Sequence, residues 1–312
     1  ALKIPRRRKW NARLQQQLKE EAEILGRLRH PHIAQVFEAG IDNSNPLAPI
    51  AYIAMEFVPG ARTLSSYIRE RHFSQDEILQ MMIKICDAVQ HGHRLGIIHC
   101  DLKPANILVD FDNNPKVIDF GVASSREAFN VDCEEPETSC GSNSLVDFSA
   151  NDRPDDSPRE KAPHATPAQF GTLNYMSPEQ CDGREFLDAR TDVYSLGVVL
   201  YQMLCDDLPF CLQGLRTDQA MQVICEQPYR EPRRGNRILS RDLWEILKKS
   251  LAKEREQRYS TADALGADLK RILTGFPISA RAATPWYVGW RFVQRNRLLV
   301  GASGLILCAI VA

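Results

Sequence analysis

The chain has 312 residues, 44% hydrophobic and 25% charged, with 39 Lys plus Arg against 40 Asp plus Glu and a net charge of −1. That is the balance of a folded globular protein with room for two domains or one bilobal unit, and it excludes wholesale disorder, collagen-like repeats and a polytopic membrane architecture. Near-neutrality gives no electrostatic case for nucleic acid as a partner.

In chain order, Ala1-Leu2-Lys3-Ile4 reads as the end of a strand, followed by the basic run Arg6-Arg7-Arg8-Lys9. Leu14, Leu18, Ala22, Leu25 and Leu28 recur at three and four, which predicts an amphipathic helix from about Asn11 to Arg29. Glu21 falls on that stripe, where a carboxylate needs a partner unless it sits at the solvated edge of the face. Pro31 ends the helix. Strands are expected over Ile33–Ala39 and Ile50–Val58, with a turn at Pro59-Gly60. Ser74–Leu95 reads as a long helix stopped by Gly96. Short β-like runs follow at Ile97-Ile98, Ile107–Val109 and Val117-Ile118, with a turn over Asp112–Pro115.

Between Ser124 and Ala168 the periodicity vanishes. Arg126 to Lys161 carries ten acidic and four basic residues among Ser, Asn and Pro, the composition of a flexible acidic insertion. Helices are expected again over Asp192–Leu204, Arg216–Glu226, Ser240–Ala252 and Ala262–Leu273. A small sheet followed by a helical mass makes an α+β chain. Nine cysteines, an odd number with no Cys-x-x-Cys pair, point to reduced thiols.

The strongest chemical signal is His99-Cys100-Asp101-Leu102-Lys103-Pro104-Ala105-Asn106, then Asp119-Phe120-Gly121, then Ser177-Pro178-Glu179. Phosphoryl transfer needs charge neutralised on the phosphates and an acceptor oxygen held in line. Asp101 is the candidate base or orienting group for a substrate hydroxyl. Lys103, two residues on, projects to the same side of an extended segment. Asn106 and Asp119 offer hard oxygen ligands suited to magnesium shared with phosphate oxygens. Each motif alone could be turn or capping chemistry; three in series are not.

In this order the motifs resemble the protein kinase signature set, and Asp-x-Lys-Pro-x-x-Asn resembles its Ser/Thr branch. The resemblance covers about Ala1 to Gly275 and implies a bilobal fold that uses ATP and Mg2+. It makes Lys3 the strand lysine that contacts the nucleotide phosphates, held by Glu21. Met55, Glu56 and Val58 become the hinge against adenine, and Thr172 the selector of a Ser or Thr hydroxyl. It also implies a buried Glu179–Arg258 pair and an Asp192 that braces the catalytic loop. Two departures stand out: Cys100 replaces the family's usual Arg, and Asp119 to Glu179 spans 61 positions. Ser139, Ser142, Ser144, Ser157 and Thr166 are candidate phosphoacceptors in the insertion.

From Phe276 to Arg297 there are four Arg, no acid, and Trp286, Tyr287 and Trp290; Leu298 to Ala312 is 15 residues without a charge. This reads as a positive, aromatic flank leading into a transmembrane helix of about 20 residues entered but not completed. The resemblance is then to bacterial, eukaryotic-like (Hanks-type) membrane-anchored Ser/Thr protein kinases, with the catalytic part cytoplasmic and the anchor single-pass in the cell membrane. The expected organisation is 1–58 as part of the smaller lobe, cut before the Lys-bearing strand, and 59–275 as the larger lobe with its insertion at about 124–168. A basic juxtamembrane linker, 276–297, and the start of the membrane helix, 298–312, complete it. Partners implied are proteins bearing Ser or Thr, the membrane, and a second copy in a homodimer. The rival readings are a pseudokinase or scaffold, since the chain contains no Gly-rich loop before Lys3, and a small-molecule phosphotransferase.

Overall fold

The computed structural model describes residues 1–4, 22–42, 44, 50–71, 73–120, 172–183, 187–231, 233–234, 237–297 and 300. Glu21, the basic run 6–9, the insertion at 124–168 and all of the terminal apolar run except Val300 lie outside them.

Strands β1 (Leu2–Lys3), β2 (Val36–Asp42) and β3 (Ile50–Met55) form an antiparallel sheet in the order β1-β3-β2. Lys3 lies opposite Ile53, which fixes its height along β3. Inward Ala51 and Ile53 make a small apolar cluster of their own. Residues 22–26 are helical, and Leu25, Leu28 and Ile33 bury into the main core.

A second antiparallel sheet joins β4 (Arg62–Thr63), β5 (Ile107–Val109) and β6 (Pro115–Val117). Thr63 caps α1 (Leu64–Glu70), a short helix that the periodicity did not signal; it is held by buried Leu64 and Tyr67. Helix α2 (Gln75–Arg94) begins with a Ser74/Glu77 capping box and ends at Leu95, followed by Gly96 at φ +76°. Ile97-Ile98 is not a strand. Ile97 N–H closes the helix end onto Gly92 O, and His99 N–H goes to a carboxylate, so this backbone finds partners without a ladder.

Beyond the insertion come α3 (Pro178–Cys181), α4 (Ala189–Cys205) and α5 (Thr217–Glu226), then a two-stranded ladder, β7 (Arg233–Arg234) with β8 (Arg237–Ile238). Helix α4 is buried nearly all round, as a central core helix must be. Helices α6 (Arg241–Ser250) and α7 (Ala262–Thr274) pack around it, and α2 runs against α4 and α7. The segment expected as a linker contains a further helix, α8 (Pro285–Arg295), with Thr284 as its cap and Pro285 in the first turn. The architecture is a small sheet unit on a mainly helical body, the α+β bilobal arrangement expected.

Candidate active site

The loop between α2 and β5 carries the chemistry, and a buried carboxylate shapes it. Asp192, on α4 and fully buried, accepts from His99 N at 2.8 Å and Cys100 N at 2.9 Å. His93 Nε2 donates to the same carboxylate at 2.7 Å. From the other side Gln180 Nε2 donates to Cys100 O at 2.7 Å. Pinned on both faces, Cys100 takes φ +61°, a left-handed conformation that costs a non-glycine residue energy and that these bonds sustain.

His99 is buried beneath the loop. Its Nε2 donates to Ile118 O at 3.0 Å and its Nδ1 accepts from Asp101 N at 3.3 Å, so the tautomer is set by geometry. It supports the loop from below.

Above it the predicted residues converge. Lys103 Nζ donates to both Asp101 oxygens, at 2.9 and 2.8 Å, and to Thr172 Oγ1 at 3.0 Å. Thr172 joins this cluster from 69 residues away in sequence. Asn106 Nδ2 donates to Asp101 O at 2.8 Å and to Oδ2 at 3.0 Å. Those bonds turn the amide nitrogen inward and leave the amide oxygen as the end a cation would use. Ile118 N–H bonds Asn106 O at 2.9 Å, bringing Asp119 onto the backbone adjacent to Asn106. Asp119 is also left-handed, φ +63°, and Phe120 behind it is buried against the His99 ring at 4.8 Å between centroids.

Lys3 Nζ lies 2.7 Å from Asp119 Oδ1. The expected partner, Glu21, is outside the described residues, so within the structure Lys3 belongs to the Asp119 carboxylate. The pair ties the sheet to the segment that follows β6. Met55 lies over an apolar cavity lined by Leu28, Ile33, Ile53, Val117 and Phe120 as well. Glu56 N–H bonds Gln35 O at 2.7 Å and is already engaged; Val58 is buried nearby, its carbonyl accepting from Ala61. The Glu56 side chain pairs with Lys116 at 2.7 Å.

The strand end at Met55, the Lys3–Asp119 pair, and the Asn106 and Asp101 side chains thus gather where the sheet meets the helical body. A protein kinase domain profile matches residues 1–269, most of the chain. The chain belongs to the protein kinase domain family. It is 34% identical over 287 residues to the serine/threonine-protein kinase PknB of Mycobacterium tuberculosis, covering 92% of this chain and 39% of that protein. To a probable serine/threonine-protein kinase of Streptomyces coelicolor it is 30% identical, covering 86% and 35%. A probable serine/threonine-protein kinase of Clostridium perfringens is 31% identical, with 84% and 32% covered. The chain thus spans about two-fifths or less of the curated relatives it matches.

Within the kinase domain the Glu179–Arg258 pair is buried and bidentate, at 2.7 and 2.8 Å, with Thr191 Oγ1 donating to the same carboxylate. Burial pushes the Glu179 carboxyl up, but the Arg258 bonds outweigh it and hold the group below its ordinary value. Cys100 is governed by burial, with Asp192 and Asp101 beside it, which pushes its thiol up to about 12. At neutral pH it is a protonated, closely packed group and not a reactive thiolate.

Sequence reasoning missed two residues that hold the loop. Gln180 carried a usable signal, because Ser177-x-x-Gln180 is the capping-box spacing and places Gln180 at a helix start next to the loop. His93 carried none, since its partner lies 99 residues away.

Proposed function

We propose that this kinase domain transfers the γ-phosphate of ATP to Ser or Thr hydroxyls of proteins. The observation that carries the reading is the Asp101–Lys103–Thr172–Asn106 cluster, brought together from two distant segments with Asp119 beside it. In it Asp101 orients the acceptor hydroxyl and takes its proton. Lys103 holds the Asp101 carboxylate in place and stabilises charge on the transferring phosphate. Thr172 shapes the floor on which a Ser or Thr chain rests.

Lys3 serves the inner phosphates, while Met55 and the backbone of Glu56 and Val58 receive adenine. Among the described residues no group of three His, Cys, Asp or Glu could enclose a metal. Two oxygen donors from adjacent backbones, Asn106 and Asp119, instead fit Mg2+, which binds few protein groups and completes its shell with phosphate and water. Bound there, the ion would neutralise phosphate charge. Direct transfer between oxygens needs no covalent enzyme intermediate.

The relatives are named as serine/threonine kinases, which supports this substrate class. Anchoring at the cytoplasmic face of a membrane is part of the proposal, and its support is compositional: the Arg- and Trp-rich stretch before the uncharged run 298–312. Among the described residues no helix is long and apolar enough to cross a membrane.

The test is incorporation of labelled γ-phosphate into a generic basic protein with ATP and Mg2+, followed by phosphoamino-acid analysis. Phosphoserine and phosphothreonine are expected. Nucleotide binding without transfer would favour the scaffold reading instead.

A further inference from the structure

The helix after the kinase lobe has two faces. Toward the body, Tyr287 is buried; its hydroxyl donates to Asp242 at 2.8 Å and receives the Ile278 N–H at 3.2 Å. Asp242 also takes Arg281 at 3.0 Å and Arg291, so one buried carboxylate clamps both ends of this segment. A second, Asp268, fully buried, accepts from Ser279 N and Oγ and from Ala280 N at 2.7 to 2.9 Å. The chain between the lobe and α8 is therefore fastened, not free.

Away from the body, Trp286, Trp290 and Val293 follow one another at spacings of four and three and are 85%, 49% and 44% exposed. Phe292 flanks them at 52% exposure. Arg295 stacks on Phe276 at 4.0 Å, and both it and Arg297 reach solvent at the helix end. Arg281 and Arg291 are taken by Asp242, so the exposed Trp stripe with Arg295 and Arg297 at its end, and no acid from Phe276 to Arg297, is what is complementary to an anionic lipid surface, where indole rings sit at headgroup level and guanidinium groups meet phosphate.

We propose that α8 lies in the plane of a membrane surface with Trp286, Trp290 and Val293 buried among the lipids, and that the Asp242 and Asp268 clamps hold the kinase lobe at a fixed attitude to that surface. This rests on the anchoring reading above and adds to it a second contact, with its own orientation. A linker that leaves the lobe tumbling on a tether would have neither feature.

The experiment uses the full chain with Trp10→Phe and Trp244→Phe, which leaves Trp286 and Trp290 as the reporters. It is mixed with phosphatidylcholine vesicles with and without phosphatidylglycerol, and with the same lipids brominated near the headgroup or near the chain end. The proposal expects a blue-shifted emission, loss of iodide quenching, and stronger quenching by the shallow bromines than by the deep ones. The effect should grow with phosphatidylglycerol and shrink with salt. If that background misfolds, the difference between the unmodified chain and Trp286→Phe/Trp290→Phe supplies the same signal. A chain that floats with vesicles while both indoles stay open to iodide overturns this proposal and leaves the anchor standing. No flotation at all overturns the anchor and this proposal together. Indoles shielded without lipid in a concentration-dependent dimer would make a second copy the occupant and overturn it too.

Discussion

Single residues decide the site because its buried charges, Asp192, Glu179 and Arg258, are each held by named partners. Glu179 and Arg258 are nearly inaccessible, so Glu179→Ala leaves a buried guanidinium uncompensated and should cost about 3–5 kcal/mol in denaturant unfolding. Since the Glu179 carboxyl is depressed in the fold, its contribution is whole above the ordinary carboxylate range and is lost as pH falls through the depressed value. The wild type should thus lose stability in acid, and Glu179→Gln should flatten that slope. Cys100 gives a converse test. With its thiol pushed up by burial, alkylation at neutral pH should label exposed Cys211 and spare Cys100, as peptide mapping would read. Asp101 and Asn106 were legible in the sequence because one short loop fixes their spacing, and Asp119 because a short hairpin, β5 and β6, returns the chain to that loop. The Lys3–Asp119 ion pair and the His93 brace were not, since neither partner's spacing reports a contact across more than 90 residues.

At the scale of elements, the long helices of the helical body were readable to within a few residues from periodicity, and their starts are capped by residues such as Ser74 and Thr261; most of the helix expected over Asn11–Arg29 lies outside the described residues. Short elements were not. Helix α1 has only two buried residues, too few for a period, and Ile97-Ile98 has strand composition but helix-end and carboxylate partners. One glycine shows how an element serves the site. A Cβ on Gly92 in α2 would stand 2.6 Å from Phe120 Cε1 and 3.3 Å from Ile97 O, so the helix lacks a side chain where Phe120 packs. Gly92→Ala should gain about 1 kcal/mol of helix propensity and lose about 1–3 in displaced packing. Stability should therefore fall slightly, while phosphotransfer falls further as Asp119 moves with Phe120. The clamps on α8 behave as a unit as well. Burial raises the Asp242 and Asp268 carboxyls, yet the bonds from Arg291, Tyr287 and Arg281 to one, and from Ser279, Arg271 and Tyr259 to the other, hold both low. Their hold on the helix is complete at neutral pH and is released only as acid reaches those depressed values, which amide exchange in 276–295 would follow.

Across the whole molecule, two apolar clusters of unequal size stand on either side of the site. The sheet keeps Ala51 and Ile53 with a few partly buried neighbours, whereas the helical body holds a contiguous core running from Leu25 to Ile278. Amides of β2 and β3 should exchange well before those of α2 and α4. The Lys3–Asp119 contact then couples a soft unit to a firm one, and ligand at the site should slow exchange in the sheet most. This organisation was visible in outline as a small sheet before a helical mass. The exposed Trp stripe of α8 was visible only as composition, because its orientation depends on Tyr287 and Asp242 meeting across 45 residues.

In the proposed reaction Asp101 positions the acceptor hydroxyl and removes its proton. The direct measurement compares Asp101→Asn with wild type for γ-phosphate transfer and, in parallel, for nucleotide binding. Loss of a positioned base predicts a fall in transfer of at least about 10²-fold with ATP affinity retained. Transfer at the wild-type rate by a folded, ATP-binding Asp101→Asn protein would remove Asp101 from that role.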